Sequence, residues 1–129
     1  MSKTKLPRVV ISDATMAVLE RLAEGLERRN PELAEHFVDE LSRAKVVKSA
    51  ALPVDTVDLG STVTFRDETT GKSQTVTLAL PENADINEGR ISVATPIGVA
   101  LIGLSAGAKF SWLANTGTKH ELLVEDVHR

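Results

Sequence analysis

Two stretches in the first third of the chain repeat apolar residues at the spacing of an amphipathic helix. In each stretch the apolar positions fall at i, i+3, i+7 and i+10, which places them on one face of a helix. They are Met16, Leu19, Ala23 and Leu26 in the first stretch, and Ala34, Phe37, Leu41 and Ala44 in the second. The pattern predicts helices over residues 14–29 and 31–46, each about 24 Å long at 1.5 Å per residue.

The dipeptide Asn30-Pro31 separates these two helices. Asn can cap a helix, and Pro fits the first helical position because the amide hydrogen that it lacks would be unpaired there. Ser12 or Asp13 can cap the first helix in the same way. The very short connection predicts an antiparallel helical hairpin, which we call the arm. A short β-prone segment at residues 8–11 precedes it.

From residue 62 onward the pattern changes to the alternation of apolar and polar residues that is typical of strands. It covers residues 62–66 and 75–80, with turn residues at 69–72 between them, and predicts a β-hairpin. A second hairpin is expected from strands at 110–113 and 120–127 around a turn at 115–118. Residues 48–60 are expected to be a linker, and the polar residues 81–90 a surface loop.

The stretch from Ile91 to Gly107 has the most specific pattern in the chain. It reads as a short strand, a helix start, two apolar helical turns and a stop. Thr95 has the chemistry of a helix cap, and Pro96 stands where the first helical residue should be. Gly103 and Gly107 can adopt positive φ, which allows the chain to end the helix and turn back.

Composition bounds the class of protein. The chain has 129 residues, a net charge of −3 and no cysteine, so disulfides and thiolate chemistry are excluded. The mild negative charge argues against nonspecific binding of nucleic acid, which needs a basic surface. We see no apolar run long enough to span a membrane and no secretion signal, and the cysteine-free chain fits a cytoplasmic location.

The residues that could carry chemistry are scattered. His36, His120 and His128 lack the spacing of a zinc site, and no serine stands in a nucleophile elbow. The glycines of the segment GLSAG are better explained by turns than by phosphate binding. We therefore predict no catalytic residue, no metal site and no cofactor.

The predicted turn of the arm carries acidic residues, which are candidate metal ligands. Glu27, Glu32 and Glu35 lie near the turn, but Arg28 and Arg29 lie between them. A metal ion would need at least two convergent oxygen ligands without adjacent cations. The arm-tip residues Glu27, Arg28, Arg29 and Glu32 are thus expected to form a mixed-charge tip rather than a metal centre.

The stretch from Ile91 to Gly107 resembles the C-terminal domain shared by the bacterial Gre transcript-cleavage factors and the regulator of nucleoside diphosphate kinase (Rnk) family. The match consists of Ile91-Ser92-Val93, Pro96-Ile97-Gly98, Ala100-Leu101-Ile102-Gly103 and Gly107. The resemblance extends over the whole chain, because a short two-helix segment precedes the domain, as in Rnk. It implies an α+β fold: residues 1–50 form the helical hairpin, a short coiled coil, and residues 51–129 an FKBP-like antiparallel sheet domain with one short helix.

The same resemblance implies a function. In Gre factors the loop before this proline docks the domain on the rim of the RNA polymerase secondary channel. Carried over, the partner-binding residues are Ala94, Thr95, Pro96 and Ile97. Gre factors often carry an acidic residue where this chain has Ala94, so a charge-assisted contact would be lost. The expected protein is a monomeric, non-catalytic regulator that binds RNA polymerase and competes with Gre factors, without direct contact to nucleic acid or membrane.

The resemblance also implies three alternative activities. Gre factors cleave transcripts with a metal ion held at the tip of a coiled coil about twice as long as this arm, so cleavage through Glu27, Glu32 or Glu35 is the enzymatic alternative. Protein binding to nucleoside diphosphate kinase is the second alternative. Prolyl isomerisation or ligand binding, suggested by an FKBP-like fold, needs an aromatic pocket. The chain has one Trp, three Phe and no Tyr, and Trp112 is expected in the core or on a sheet face.

Overall fold

A computed structural model describes residues 8–113 and 119–129 of the chain. The chain has a helical N-terminal part and a sheet-rich C-terminal part, giving a mixed helix and sheet fold. The strands are β1 (Val10–Ser12), β2 (Lys45–Val47), β3 (Thr62–Asp67), β4 (Ser73–Ala79), β5 (Arg90–Ser92), β6 (Lys109–Leu113) and β7 (Lys119–His128). The helices are α1 (Asp13–Arg29), α2 (Pro31–Ser42) and α3 (Pro96–Leu101).

The two N-terminal helices form because both starts are capped. The Ser12 hydroxyl accepts a hydrogen bond from the Thr15 amide at 3.1 Å. Asn30 ends α1, with its amide donating to the Leu26 carbonyl, and begins α2, with its side-chain oxygen accepting from the Leu33 amide at 3.2 Å. The predicted helices and the break at Asn30-Pro31 are confirmed.

The predicted end of the second helix at Val46 is wrong. Helix α2 ends at Ser42, and residues 45–47 form strand β2 instead. In β2 the β-branched Val46 and Val47 lie parallel to β1, in register with Ile11 and Ser12. The helical spacing of apolar residues therefore extends to Ala44, beyond the end of α2 at Ser42. From Lys45 onward the chain pairs with β1 instead.

The C-terminal part is built on a five-stranded sheet with the order β5-β4-β3-β7-β6. Both predicted hairpins are confirmed as antiparallel pairs, β3 with β4 and β6 with β7. The expected antiparallel sheet is confirmed for these pairs and for β3 with β7, and it is wrong for β4 and β5, which are parallel. The turn expected at residues 115–118 and the side chain of Trp112 lie outside the described residues.

The two parts of the chain share one apolar core. Leu19 and Phe37 of the helices belong to the same cluster of buried side chains as Val63, Leu78 and Val99 of the second part. A hydrogen bond of 2.6 Å from the Thr15 hydroxyl to the Asp58 carboxylate also joins the two parts. The predicted division into residues 1–50 and 51–129 stays a prediction.

Strand β1 is hydrogen-bonded on both of its edges. It pairs with β2 on one edge, where the Lys45 amide donates to the Val9 carbonyl at 2.8 Å. On the other edge the Val10 amide donates to the Gly103 carbonyl at 2.9 Å. The root of the arm is thus attached by main-chain bonds to the segment that follows α3. Within the described residues, no helix is both long and apolar enough to span a membrane.

Candidate partner-binding surface

The start of α3 is held rigidly by the residues that precede it. The Thr95 hydroxyl accepts from the Gly98 amide at 3.1 Å and donates to the Ser92 carbonyl at 2.7 Å. The Ala94 amide donates to the Ser92 hydroxyl at 3.0 Å. Gly98 lies so close to the end of β5 that a Cβ there would come within 2.8 Å of the Val93 Cα. The capping role expected for Thr95 and the helix start at Pro96 are confirmed.

The four residues expected to bind a partner differ in how much surface they present. Pro96 is exposed, whereas Ala94, Thr95 and Ile97 are half-buried. Ile97 also packs against the buried core. Since a helix start of this kind exposes a rigid proline ring beside an isoleucine, it offers a small apolar surface with little conformational freedom to lose on binding.

Two open clefts lie on either side of this helix start. A cleft of about 550 Å³ runs along the sheet, with Phe65, Val76 and Leu122 in its lining. A second cleft of about 440 Å³ is lined by Ala84, Ile86, Ser92 and Thr95, among others. Ile91 and Ile97 line both clefts, so they form the ridge between them.

Sequence reasoning missed two residues of this surface. Ile86 is 83% exposed in the second cleft, and Ile91 forms half of the ridge. Ile86 is a lone large apolar residue in the polar segment 81–90, a signal that could have singled it out. Ile91 was expected only as part of a strand, because alternation does not show which face of a sheet stays open.

The polar rim of the first cleft contains Asp67, which forms a hydrogen-bonded pair with His120. The Asp67 Oδ2 and His120 Nδ1 atoms are 2.7 Å apart. Burial opposes ionisation of Asp67, but hydrogen bonds from the Thr69 amide, from His120 and from the Thr70 amide outweigh it and lower the pKa of Asp67 below its ordinary value. Asp67 is therefore a carboxylate across the neutral range, and it fixes the end of β3 against the start of β7.

The arm tip does not bring its acidic residues together. Glu27, Arg28, Arg29 and Glu32 are all exposed, and so is Glu35. Glu27 points into a groove of the arm with Glu20 and Glu24, whereas Glu32 lies in the first turn of α2. Among residues 8–113 and 119–129, no three His, Cys, Asp or Glu side chains are grouped so that they could hold a metal ion.

The length of the arm follows from its helices. Helix α1 has 17 residues and α2 has 12. At 1.5 Å per residue they measure about 26 Å and 18 Å. The longer helix is close to the predicted 24 Å, and the shorter one reflects the replacement of its last predicted turn by β2.

Comparison with known proteins identifies both parts of the chain. The family model for the C-terminal part of the GreA/GreB transcription elongation factors matches residues 52–129, and the model for the Rnk N-terminus matches residues 7–47. The transcription elongation factor GreA of Rhodospirillum rubrum is 42% identical over 81 residues, which is 63% of this chain and 52% of that protein. The chain thus spans about half the length of the GreA relatives that it matches.

Two further relatives are similar over nearly the whole chain. The regulator of nucleoside diphosphate kinase of Escherichia coli K12 is 29% identical over 121 residues, covering 94% of this chain and 89% of that protein. The structure of a GreA/GreB transcription elongation factor from Nitrosomonas europaea superposes with a TM-score of 0.76 at 32% identity, covering 95% of this chain and 99% of the other. The chain therefore belongs to the GreA/GreB and Rnk family, with an Rnk-type N-terminal part followed by a GreA/GreB-type C-terminal domain.

Proposed function

We propose that this chain is a non-catalytic regulator of transcription elongation that binds RNA polymerase near its secondary channel. The C-terminal domain docks through the surface around Pro96, and the arm lies at the channel entrance. In this position the chain competes with Gre factors for the same site. The single observation that carries the proposal is the exposed helix start at Pro96, which adjoins the apolar ridge of Ile91 and Ile97 between two open clefts.

The chemistry of this surface suits a protein partner. The ridge residues Ile91 and Ile97 and the exposed Ile86 and Pro96 are apolar, while Asp67 and Lys72 supply a polar rim on one side. Protein interfaces typically combine an apolar centre with a polar rim. The GreA/GreB family model covers this surface in full, which supports the same class of partner.

The non-catalytic part of the proposal is supported by the arm. A helix of about 26 Å is half the length that the Gre coiled coil would have by its residue count. In the exposed tip, Arg28 and Arg29 lie between Glu27 and Glu32 in the chain. A divalent cation would need two convergent carboxylates as ligands, and adjacent guanidinium groups would repel it.

Retention of the protein on immobilised RNA polymerase tests the docking surface. Pro96→Asp places a carboxylate on the exposed proline position, and Ile97→Asp places one on the ridge. We expect both variants to lose binding, since a charge would be buried without a partner in an apolar interface. Val54→Asp is the matched control, because Val54 is an apolar residue that is 82% exposed and lines neither cleft.

Circular dichroism and the thermal midpoint establish that each variant is folded. A folded Pro96→Asp protein that is retained as well as the Val54→Asp control would contradict the proposed surface. Displacement of bound protein by a Gre factor is the further expectation, and binding of both proteins at once would contradict competition.

Transcript cleavage on backtracked polymerase complexes tests the absence of catalysis. The proposal predicts no cleavage product at any magnesium concentration, because Arg28 and Arg29 lie between Glu27 and Glu32 in the chain and the described residues contain no group of three His, Cys, Asp or Glu side chains that could hold a metal ion. Cleavage that disappears in Glu27→Gln or Glu32→Gln would instead assign the chain to the cleavage factors.

Protein binding to nucleoside diphosphate kinase is the second candidate. It is favoured by the similarity to the E. coli regulator of that kinase, which extends over 94% of this chain. Capture from a cytosolic extract separates the two candidates. Recovery of the kinase without polymerase would favour the second, and recovery of polymerase without the kinase the first.

A further inference from the structure

The arm carries an open groove that the proposed polymerase contact does not use. The groove has a volume of about 520 Å³ and lies between α1, the end of α2 and β2. Its apolar lining includes Met16, Val38, Leu41 and Val46. Val38 is 47% and Val46 49% exposed, and they are two of the four large apolar side chains found exposed in the described part of the chain.

One side of this groove is lined by carboxylates. Glu20, Glu24 and Glu27 follow each other along α1 at intervals of four and three residues, and all three line the groove. The groove lining within the described residues includes no Lys, Arg or His side chain. No ion pair within 4.0 Å is found for any of these three glutamates among residues 8–113 and 119–129.

We propose that this groove binds a basic amphipathic helix of a partner protein. An apolar face with anchors at i, i+3 or i+4, and i+7 would cover Val38, Leu41 and Val46, in the way that amphipathic helices lie in apolar grooves. Lysines or arginines along one flank of that helix would face Glu20, Glu24 and Glu27. Charge complementarity thus selects a basic partner and sets the side on which its charges must lie.

The same charges argue against a second copy of this chain as the occupant. Two copies docked groove to groove would bring two rows of carboxylates together, and like charges across an interface disfavour association. An acidic helix is disfavoured for the same reason. The groove and the surface at Pro96 share no residue, so the basic helix would contact a part of the chain other than the surface proposed to dock on polymerase.

A synthetic peptide tests the proposal with the full-length protein. The probe has about 18 residues, roughly 27 Å as a helix, with Leu on one face and Lys on the other. A second peptide of the same composition in scrambled order, and a third with Glu in place of Lys, serve as controls. Binding is followed by fluorescence anisotropy of the labelled peptide and by the shifts of backbone amide signals in NMR spectra.

We expect the basic peptide alone to bind, with shifted signals concentrated in α1, α2 and β2. Val38→Asp should weaken binding by tenfold or more, on the order of a buried apolar anchor. The double variant Glu20→Gln/Glu24→Gln should weaken it by about threefold at low salt and less at high salt, as for screened exposed charges.

Matched controls separate the groove from general surface effects. Val54→Asp changes an exposed valine elsewhere, and Glu82→Gln/Glu88→Gln removes the same charge from an exposed loop. Both should leave peptide affinity unchanged. Equal binding of the acidic or scrambled peptide, signal shifts outside the arm, or equal loss in the control variants would each overturn the proposal. Self-association of the protein that Val38→Asp abolishes would overturn it in favour of a second copy.

Discussion

At Gly103 the segment after α3 packs closely against the N-terminal part. Its φ is +81°, and a Cβ there would lie 2.5 Å from the Val9 Cγ1 and 3.2 Å from the Ile11 Cγ1. The need for positive φ could be read from the sequence, because a glycine follows an apolar helix. The contact with β1 could not, since it joins residues more than ninety positions apart.

Gly103→Ala is expected to destabilise the protein more than Gly71→Ala does. Both glycines have positive φ, so both substitutions cost about 1 kcal/mol in backbone strain. Gly71 has no atom within 4 Å of its ideal Cβ, whereas Gly103 would also clash with β1, and overpacking typically costs a further 1–3 kcal/mol or so. Urea denaturation of the two variants measures the difference. Equal losses would show that β1 moves aside without cost.

The ionisation of Asp67 makes the free energy of unfolding depend on pH in the acidic range. Because its pKa is lowered in the folded state from an ordinary value of 3.8, the carboxylate form stabilises the fold. That stabilisation is complete above the unfolded-state pKa and disappears as the pH falls through the lower folded-state pKa. Asp67→Asn should therefore be less stable than the parent at neutral pH, and the difference should shrink below pH 3.8.

Chemical denaturation at pH values from about 6 to about 2.5 measures this difference across the range in which carboxyl groups titrate. Asp126→Asn is a useful control, because Asp126 also lies beside a histidine, His128, but in an exposed pair at the end of β7. A difference between parent and Asp67→Asn that is constant with pH would contradict the assigned pKa direction.

The long, periodic elements are those that the sequence predicted well. Helix α1, the cap at Asn30 and the strands of both hairpins have strong local signals, either helical spacing or alternation beside turn residues. Strand β2 and the parallel pairing of β4 with β5 have no such local signal. A three-residue strand is too short to show a period, and the direction of pairing depends on a crossover loop. The partner-binding role of the surface around Pro96 stays a prediction from resemblance, and the two clefts beside it depend on how α3 lies against the sheet.

Asn30→Ala tests how the arm is held at its turn. Asn30 caps the start of α2 with its side chain, and loss of such a cap typically costs about 1 kcal/mol. Asn30→Gly should cost only a few tenths of that, because glycine is tolerated at this position. Hydrogen exchange is expected to accelerate in the first turn of α2 and to stay unchanged at α3. Faster exchange at α3 would mean that loosening of the first turn spreads along α2 to α3, which packs against it.

At the scale of the whole molecule, the shared core implies that the two parts unfold together. Phe37 is fully buried in α2 yet belongs to the cluster that includes Val63 and Leu78 of the sheet. Its burial at a position of helical spacing was predictable, and its partners across the chain were not. Residues that the comparisons assign to two family models thus contribute to one folding unit.

Phe37→Ala should lower the free energy of unfolding by about 3–5 kcal/mol, as large-to-small changes of buried aromatics do. The neighbouring Val38→Ala, at an exposed position, should change it by roughly 0.5 kcal/mol or less. Native-state hydrogen exchange is expected to show the same loss of protection in α1 and in β3. Loss confined to the helices would mean that the sheet domain is stable without them.

The hydrogen bonds on both edges of β1 limit the movement of the arm relative to the domain. An arm joined to its domain by a flexible tether could sweep through many directions, but this one can swivel only by breaking main-chain hydrogen bonds to β2 and to Gly103. The span from Pro96 to the bend at Asn30 is therefore a fixed length in a fixed direction. A partner that binds the domain therefore meets the far end of the arm at a fixed position.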